Sequence, residues 1–311
     1  MRGPITRPME IYLPIAEMSV HWLLILGLGG GIGFLSGLLG VGGGFLLTPL
    51  LIFTGIPAPI AVATTASHIT ASSMSGALAH WRKRAVDLKM AAVMSLGGIL
   101  GTGAGVWLFG VLRRSGQMDV AVSASYVILL GTIGALMLRE SLAALRAARA
   151  GSPQRLPGKH LWIHGLPFKQ RFPASRLYIS VIPPLAIGFA VGALSSVLGV
   201  GGGFIVVPAM IYFLRMPTNV VMGTSLVQII LVTAATTVLQ SVNNHAVDVM
   251  LALLLIAGGV IGAQLGVRAA SRLRGEQLRA LLAVVVLGVG AKLLIDLVSR
   301  PADLYSVMSG G

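Results

Sequence analysis

The sequence predicts an all-α, polytopic integral membrane protein made of two inverted-topology repeats of about five segments each, and three observations carry that prediction. Of its 311 residues, 55% are hydrophobic and only 10% charged, against about a quarter charged in a soluble domain. The apolar residues gather in long runs parted by short polar loops, the pattern of membrane helices rather than the ~10-residue alternating strands of a membrane barrel. Third, one phrase occurs twice: residues 38–49 read LLGVGGGFLLTP and residues 197–208 read VLGVGGGFIVVP. Gly42, Gly43, Gly44, Phe45 and Pro49 recur in register as Gly201, Gly202, Gly203, Phe204 and Pro208.

Taken in order, apolar segments fall at 20–39, 44–54, 60–79, 90–112 and 120–138, and again at 178–199, 203–214, 219–240, 249–267 and 280–298. They divide the chain into a polar lead-in (1–19), a first transmembrane repeat (20–138), a basic linker (139–177), a second repeat (178–299) and a tail (300–311). The segments opening at Gly44 and Gly203 hold about a dozen residues before Pro57 and Pro217, too few to cross a ~30 Å hydrocarbon core. Each is expected to be a short or re-entrant broken helix.

An odd number of crossings per copy makes the second copy enter the membrane in the opposite sense, and the loops agree. Residues 80–89, HWRKRAVDLK, carry Arg82, Lys83, Arg84 and Lys89, whereas the equivalent 240–248, QSVNNHAVD, hold no Lys or Arg. Both reach Ala-Val-Asp, at Asp87 and Asp248. The positive-inside rule then places 80–89 and the linker in the cytoplasm and both termini outside a cell (cytoplasmic/inner) membrane. Arg113 and Arg114 are the exception, falling on the outer side. The net charge of +14 resides in such loops; no basic stripe with interleaved aromatics calls for nucleic acid.

Cysteine is absent, which excludes thiolate chemistry. No nucleophile with its base, no metal-ligand spacing and no cofactor motif emerges, and GVGGGF lacks both the third glycine of a dinucleotide fingerprint and a Walker-type lysine. The expected activity is therefore not enzymatic.

A pair of broken segments is the sequence pointer to a transported ligand. Consecutive glycines let backbone N–H groups approach a ligand, and a helix starting at Gly44 or Gly203 would turn its positive end toward the break, a site for an anion. Gly42 to Gly44 and Gly201 to Gly203 are the candidate backbone donors. The glycines spaced by four, Gly33 and Gly37, Gly97, Gly101 and Gly105, and Gly258, Gly262 and Gly266, read instead as helix-packing stripes. On the third span of each copy, ATTASH at 63–68 aligns with GTSLVQ at 223–228, matching Thr64 with Thr224, Thr65 with Ser225, and His68 with Gln228. These supply hydrogen-bonding groups at equal depth. His68, an ionisable group inside the membrane, is either a proton carrier or a neutral structural histidine. Arg82 and Arg84 could draw anions to the cytoplasmic mouth.

The paired Gly-Val-Gly-Gly-Gly-Phe motifs at 40–45 and 199–204, with their downstream prolines and Thr-rich third spans, resemble the TauE/SafE sulfite-exporter family over about 30–140 and 180–298. That resemblance implies secondary transport of sulfite or another small sulfur-containing oxyanion or organosulfonate, by export through two inverted halves; no cofactor is expected, and a proton is the coupling ion only under the proton-carrier reading of His68. An anion channel would use the same lining. A membrane-embedded sensor or anchor partner is less favoured, because no sizeable soluble domain is evident.

Overall fold

The computed structural model describes residues 10–39, 42–82, 86–150, 167–175, 177–270 and 275–298. These form ten helices and two hairpins: β1 (Glu10–Leu13), β2 (Met18–His21), α1 (Trp22–Leu39), α2 (Gly44–Phe53), α3 (Ala58–Arg82), α4 (Leu88–Arg114) and α5 (Met118–Ala150), then β3 (Lys169–Phe172), β4 (Leu177–Ser180), α6 (Ile182–Leu198), α7 (Gly203–Tyr212), α8 (Thr218–Asn244), α9 (Val249–Ala270) and α10 (Gly275–Val298). Among the described residues, three helices are long and apolar enough to cross a membrane: Leu88–Arg114, Val220–Asn244 and Val249–Ala269.

Two features depart from the expected boundaries. Residues 10–21 pair as an antiparallel hairpin, Glu10 opposite His21 and Leu13 opposite Met18, and residues 169–180 pair in the same way, Lys169 opposite Ser180 and Phe172 opposite Leu177. Residues 10–21 and 169–180 thus form matching hairpins, the first seated by the buried side chains of Leu13 and Val20 and the second by those of Phe172 and Ile179. Second, α5 runs past 138 to Ala150, so the start of the expected tether is helical. Residues 151–166 lie outside the described residues, as do 1–9 and 299–311.

The helices pack in matching combinations, α1 with α9 and α4 with α6, around a central α3–α8 pair, while α5 packs with α10. Glycine makes the first two interfaces close. A side chain at Gly29, Gly33 or Gly37 of α1 would overlap the backbone of Leu255, Gly259 or Ala263 on α9, and one at Gly97, Gly101 or Gly105 of α4 that of Leu185, Phe189 or Ala193 on α6. Backbones in direct contact gain dispersion energy where lipid supplies no hydrophobic drive.

The starts of α4 and α9 are fixed by the two Ala-Val-Asp sequences. Asp87 accepts the Met90 N–H at 3.1 Å, and its other oxygen takes the Ser175 N–H at 3.0 Å and the Ser175 hydroxyl at 2.6 Å. Asp248 accepts the Leu251 N–H at 3.1 Å and the Ile15 N–H at 2.9 Å. Each aspartate therefore caps a helix and holds the turn of a hairpin, satisfying backbone donors that would otherwise be buried unpaired.

Candidate functional site

Both glycine clusters turn the chain by the same means. Gly42 and Gly43 have φ of 85° and 65°, and Gly201 and Gly202 have 74° and 77°, left-handed values that strain any residue with a Cβ. Gly43 and Gly202 are the N-caps, so Gly44 and Gly203 open ten-residue helices with no capping side chain. The Gly44 N–H turns back to the Gly42 carbonyl at 2.9 Å. The two helix starts lie together, since the Phe45 and Phe204 rings stack with centroids 4.2 Å apart and planes 9° from parallel. Two positive helix ends thereby converge, a field that favours an anion without any cationic side chain. On the second break, Tyr126 of α5 donates to the Leu198 carbonyl at 2.6 Å and Thr48 of α2 to the Gly199 carbonyl at 3.4 Å, fixing the chain just before it turns. Gly40 lies outside the described residues.

The third helices present two different faces to this centre. Ile69, midway along α3, rests against Gly42, Gly44 and Gly201, and Ile229, midway along α8, reaches Gly42. Thr65 and Ser225 stand four residues earlier and so share those faces. The Thr65 hydroxyl is buried and has no partner, whereas Ser225 donates to the Met222 carbonyl at 3.0 Å. The sequence pointed to the glycines and to the hydroxyls but not to the two isoleucines between them. Their signal was the same matched register, carried by apolar residues.

The companion residues turn toward α9 and α4. Asp248 donates its N–H to Thr64 Oγ1 at 3.1 Å, and Asp87 donates its own to Thr224 Oγ1 at 2.9 Å while Thr224 donates to the Val220 carbonyl at 2.7 Å. Thr64 and Thr224 therefore tie the third helices to the helix starts of α9 and α4. His68 Nδ1 lies 2.8 Å from the Leu255 carbonyl of α9. A carbonyl only accepts, so Nδ1 carries the proton and the buried Nε2, which has no partner, offers a lone pair. The ring fits because position 259 is glycine; a side chain there would overlap it. Gln228 sits beside Gly98 of α4, and both its amide oxygen and nitrogen are buried without partners.

Gly42, Gly44 and Gly201 thus meet around Ile69, whereas Gly43 faces Ile32 and Ser36 of α1, Gly202 faces Val191 of α6 and Gly203 opens α7; Thr65 and Ser225 lie on the helix faces of Ile69 and Ile229. His68 and Gln228 flank those faces with unmatched polar atoms. Arg82 ends α3, and Arg84 lies outside the described residues.

A mostly helical chain with membrane-length apolar helices and buried, unmatched polar groups along its central helices has the build of an integral membrane transporter. Residues 24–293 match the family described as Sulfite exporter TauE/SafE, and the chain belongs to that family. It is 33% identical over 258 residues to a probable membrane transporter protein of Xylella fastidiosa (strain 9a5c), covering 82% of this chain and 87% of the relative. It is 28% identical over 280 residues to the probable membrane transporter protein YjnA of Bacillus subtilis (strain 168), covering 89% and 100%. No solved structure matches the chain.

Proposed function

We propose that this protein is a secondary transporter that moves sulfite or another small sulfur-containing oxyanion or organosulfonate out across the cell (cytoplasmic/inner) membrane by alternating access. Its two halves are inverted copies of about five segments, with the linker cytoplasmic and both termini outside. The observation that carries the reading is the set of buried polar atoms left unmatched on the central helices: Thr65 Oγ1, His68 Nε2 and Ser73 Oγ on α3, and Gln228 Oε1 and Nε2 on α8. Each costs about 1–3 kcal/mol if it stays unsatisfied, a cost that a polar ligand or its water would remove. The adjoining helix starts add a positive potential, and Ile69, with the stacked Phe45 and Phe204, closes the space between the breaks. That closure suits a carrier that opens to one side at a time more than a standing channel.

His68 is the coupling group. Its Nε2 lone pair can take a proton as the anion enters, so the pair moves with less net charge through the apolar core; Nδ1 stays on the Leu255 carbonyl throughout. The test is uptake into proteoliposomes of sulfite, sulfate, thiosulfate and a taurine-like sulfonate, each with and without an imposed pH gradient. Saturable movement of one sulfur anion, stimulated by the gradient in the wild type and indifferent to it in His68→Gln, is the expected result. Movement of none of these anions removes the substrate assignment, and unsaturable flux removes the carrier mechanism.

A further inference from the structure

Away from the central helices, α4 and α8 part near their C-terminal ends around a cleft of about 240 Å³. Its lining changes character along its length. Gly103, Trp107 and Leu239 form an apolar stretch, and Arg114, Asn243 and Asn244 form a polar end. Positions 103, 107, 110 and 114 recur every three to four residues, so they make one face of α4. The cleft exists because two of them are glycine: nothing lies within contact of the place a side chain at Gly103 would occupy, and one at Gly110 would meet the Asn244 side chain.

The surroundings say which solvent this cleft opens to. Trp107 is 72% exposed, and Val111, Val238 and Val242 beside it are exposed as well, an apolar surface that belongs against lipid tails. Trp107 stands seven residues, about 10 Å, before Arg114 on α4, so with Arg114 at the headgroups its ring lies at the boundary where the acyl chains begin. Arg113 and Arg114 sit one after the other at the last turn of α4, and only the first is engaged, donating to the Asn244 carbonyl. Arg114 is exposed, with no hydrogen bond or ion pair among the described residues, and its guanidinium stands at the mouth of an apolar slot. The charge at the polar end calls for an anion, and the slot behind it calls for hydrocarbon.

We infer that this α4–α8 cleft is a binding site for an anionic phospholipid, with the phosphate at Arg114 and Asn243 and an acyl chain lying over Gly103 and Gly110 beside Trp107. The guanidinium pairs with phosphate in a fixed fork, and the glycines give the chain a path that a side chain would fill. The same site accounts for the two arginines that break the positive-inside pattern: one ties α4 to α8, and the other holds lipid. A lipid wedged there touches both α4 and α8, so it is placed to brace the contact between them.

Trp107 is the reporter. Replacing Trp22, Trp81 and Trp162 by Phe leaves it as the sole tryptophan of four. The protein is reconstituted in phosphatidylcholine with rising fractions of brominated phosphatidylglycerol, or of brominated phosphatidylcholine, and quenching of Trp107 is followed. One arginine near a headgroup supports a roughly fivefold preference, so the anionic lipid is expected to quench at roughly one-fifth the mole fraction. Arg114→Gln should abolish the preference, and Arg114→Lys should keep part of it. Gly103→Leu, which has room for its side chain, should weaken quenching by both lipids. Equal quenching by the two lipids in the wild type, or a preference that survives Arg114→Gln, overturns the assignment. So does a preference erased by millimolar inorganic phosphate, which would make the occupant a free anion.

Discussion

α3 and α8 hold equivalent places in the molecule, yet their polar groups are not used equally. On both helices one hydroxyl at matching positions, Thr64 or Thr224, accepts the N–H of the aspartate that caps the neighbouring helix. One residue on, the helices diverge: Thr65 has no partner, while Ser225 bonds back to the Met222 carbonyl. Four residues past the shared hydroxyl they diverge again. His68 is anchored through one nitrogen and open at the other, whereas Gln228 is open at both amide atoms. The two helices share the framework bonds and differ in the groups facing the centre, so the shared bonds should govern stability and the unshared ones transport.

The harshest way to break that comparison is to strike the framework where it is most alike. Gly33→Leu on α1 and Gly101→Leu on α4 each drive a side chain into the backbone of a facing helix, Gly259 on α9 or Phe189 on α6. Overpacking of a tight interface costs about 1–3 kcal/mol or more, and here backbone rather than a flexible side chain must give way. Both variants are expected to lose the monodisperse peak in detergent size-exclusion chromatography. If only one does, the α1–α9 and α4–α6 contacts are not equivalent and the framework is less symmetric than its bonds.

A milder probe separates the two caps. Asp87 receives three hydrogen bonds, two of them from Ser175, whereas Asp248 receives two. Charged caps of this kind contribute about 1–3 kcal/mol, and a buried donor left behind adds to the loss. Asp87→Ala is therefore expected to lower the melting temperature in detergent more than Asp248→Ala does, and Ser175→Ala to account for part of the difference. Equal shifts would mean that the serine hydroxyl contributes nothing beyond the backbone bonds the two sites share.

How far the sequence alone reached follows the same division. The glycine phrase announced both breaks, and its clustering, unlike the four-residue glycine stripes, marked where the chain turns rather than where helices touch. The Ala-Val-Asp repeat was visible as a pair, but its role as cap and hairpin clasp depends on Ile15 and Ser175, which are remote in sequence and come near only when the bundle closes. The hairpins were missed because strands of only four residues, EIYL, MSVH, KQRF and LYIS, are too short to display a period and lie beside prolines and charges that read as a solvated lead-in or tether; the repeated Leu-Pro at 13–14 and Phe-Pro at 172–173 was their one signal. Thr64 and Thr65 could not be told apart by type. They stand about 100° apart around a helix, and only the packing decides that one meets a helix cap and the other the glycine junction.

That distinction sets the finest test. Thr65→Val keeps shape and removes a buried hydroxyl with no partner, so stability should hold or rise slightly, by up to about 1 kcal/mol, because an unmatched polar group is replaced by a methyl. If the hydroxyl bonds a charged ligand, transport should fall about tenfold, the loss expected when a hydrogen bond to an ion goes missing. Ser225→Ala is the control on the opposite helix. Its hydroxyl already bonds the chain behind it, so transport should change less than about twofold, within the small effect of a satisfied local bond. Flux through proteoliposomes and melting in detergent, measured on the same preparations, separate the outcomes. A Thr65→Val protein that is stable and transports like the wild type would move the ligand away from this helix face, to the His68 and Gln228 side, whereas equal losses in both variants would mean that the Ser225 hydroxyl leaves its Met222 bond during transport and that the two halves are functionally more alike than their resting bonds.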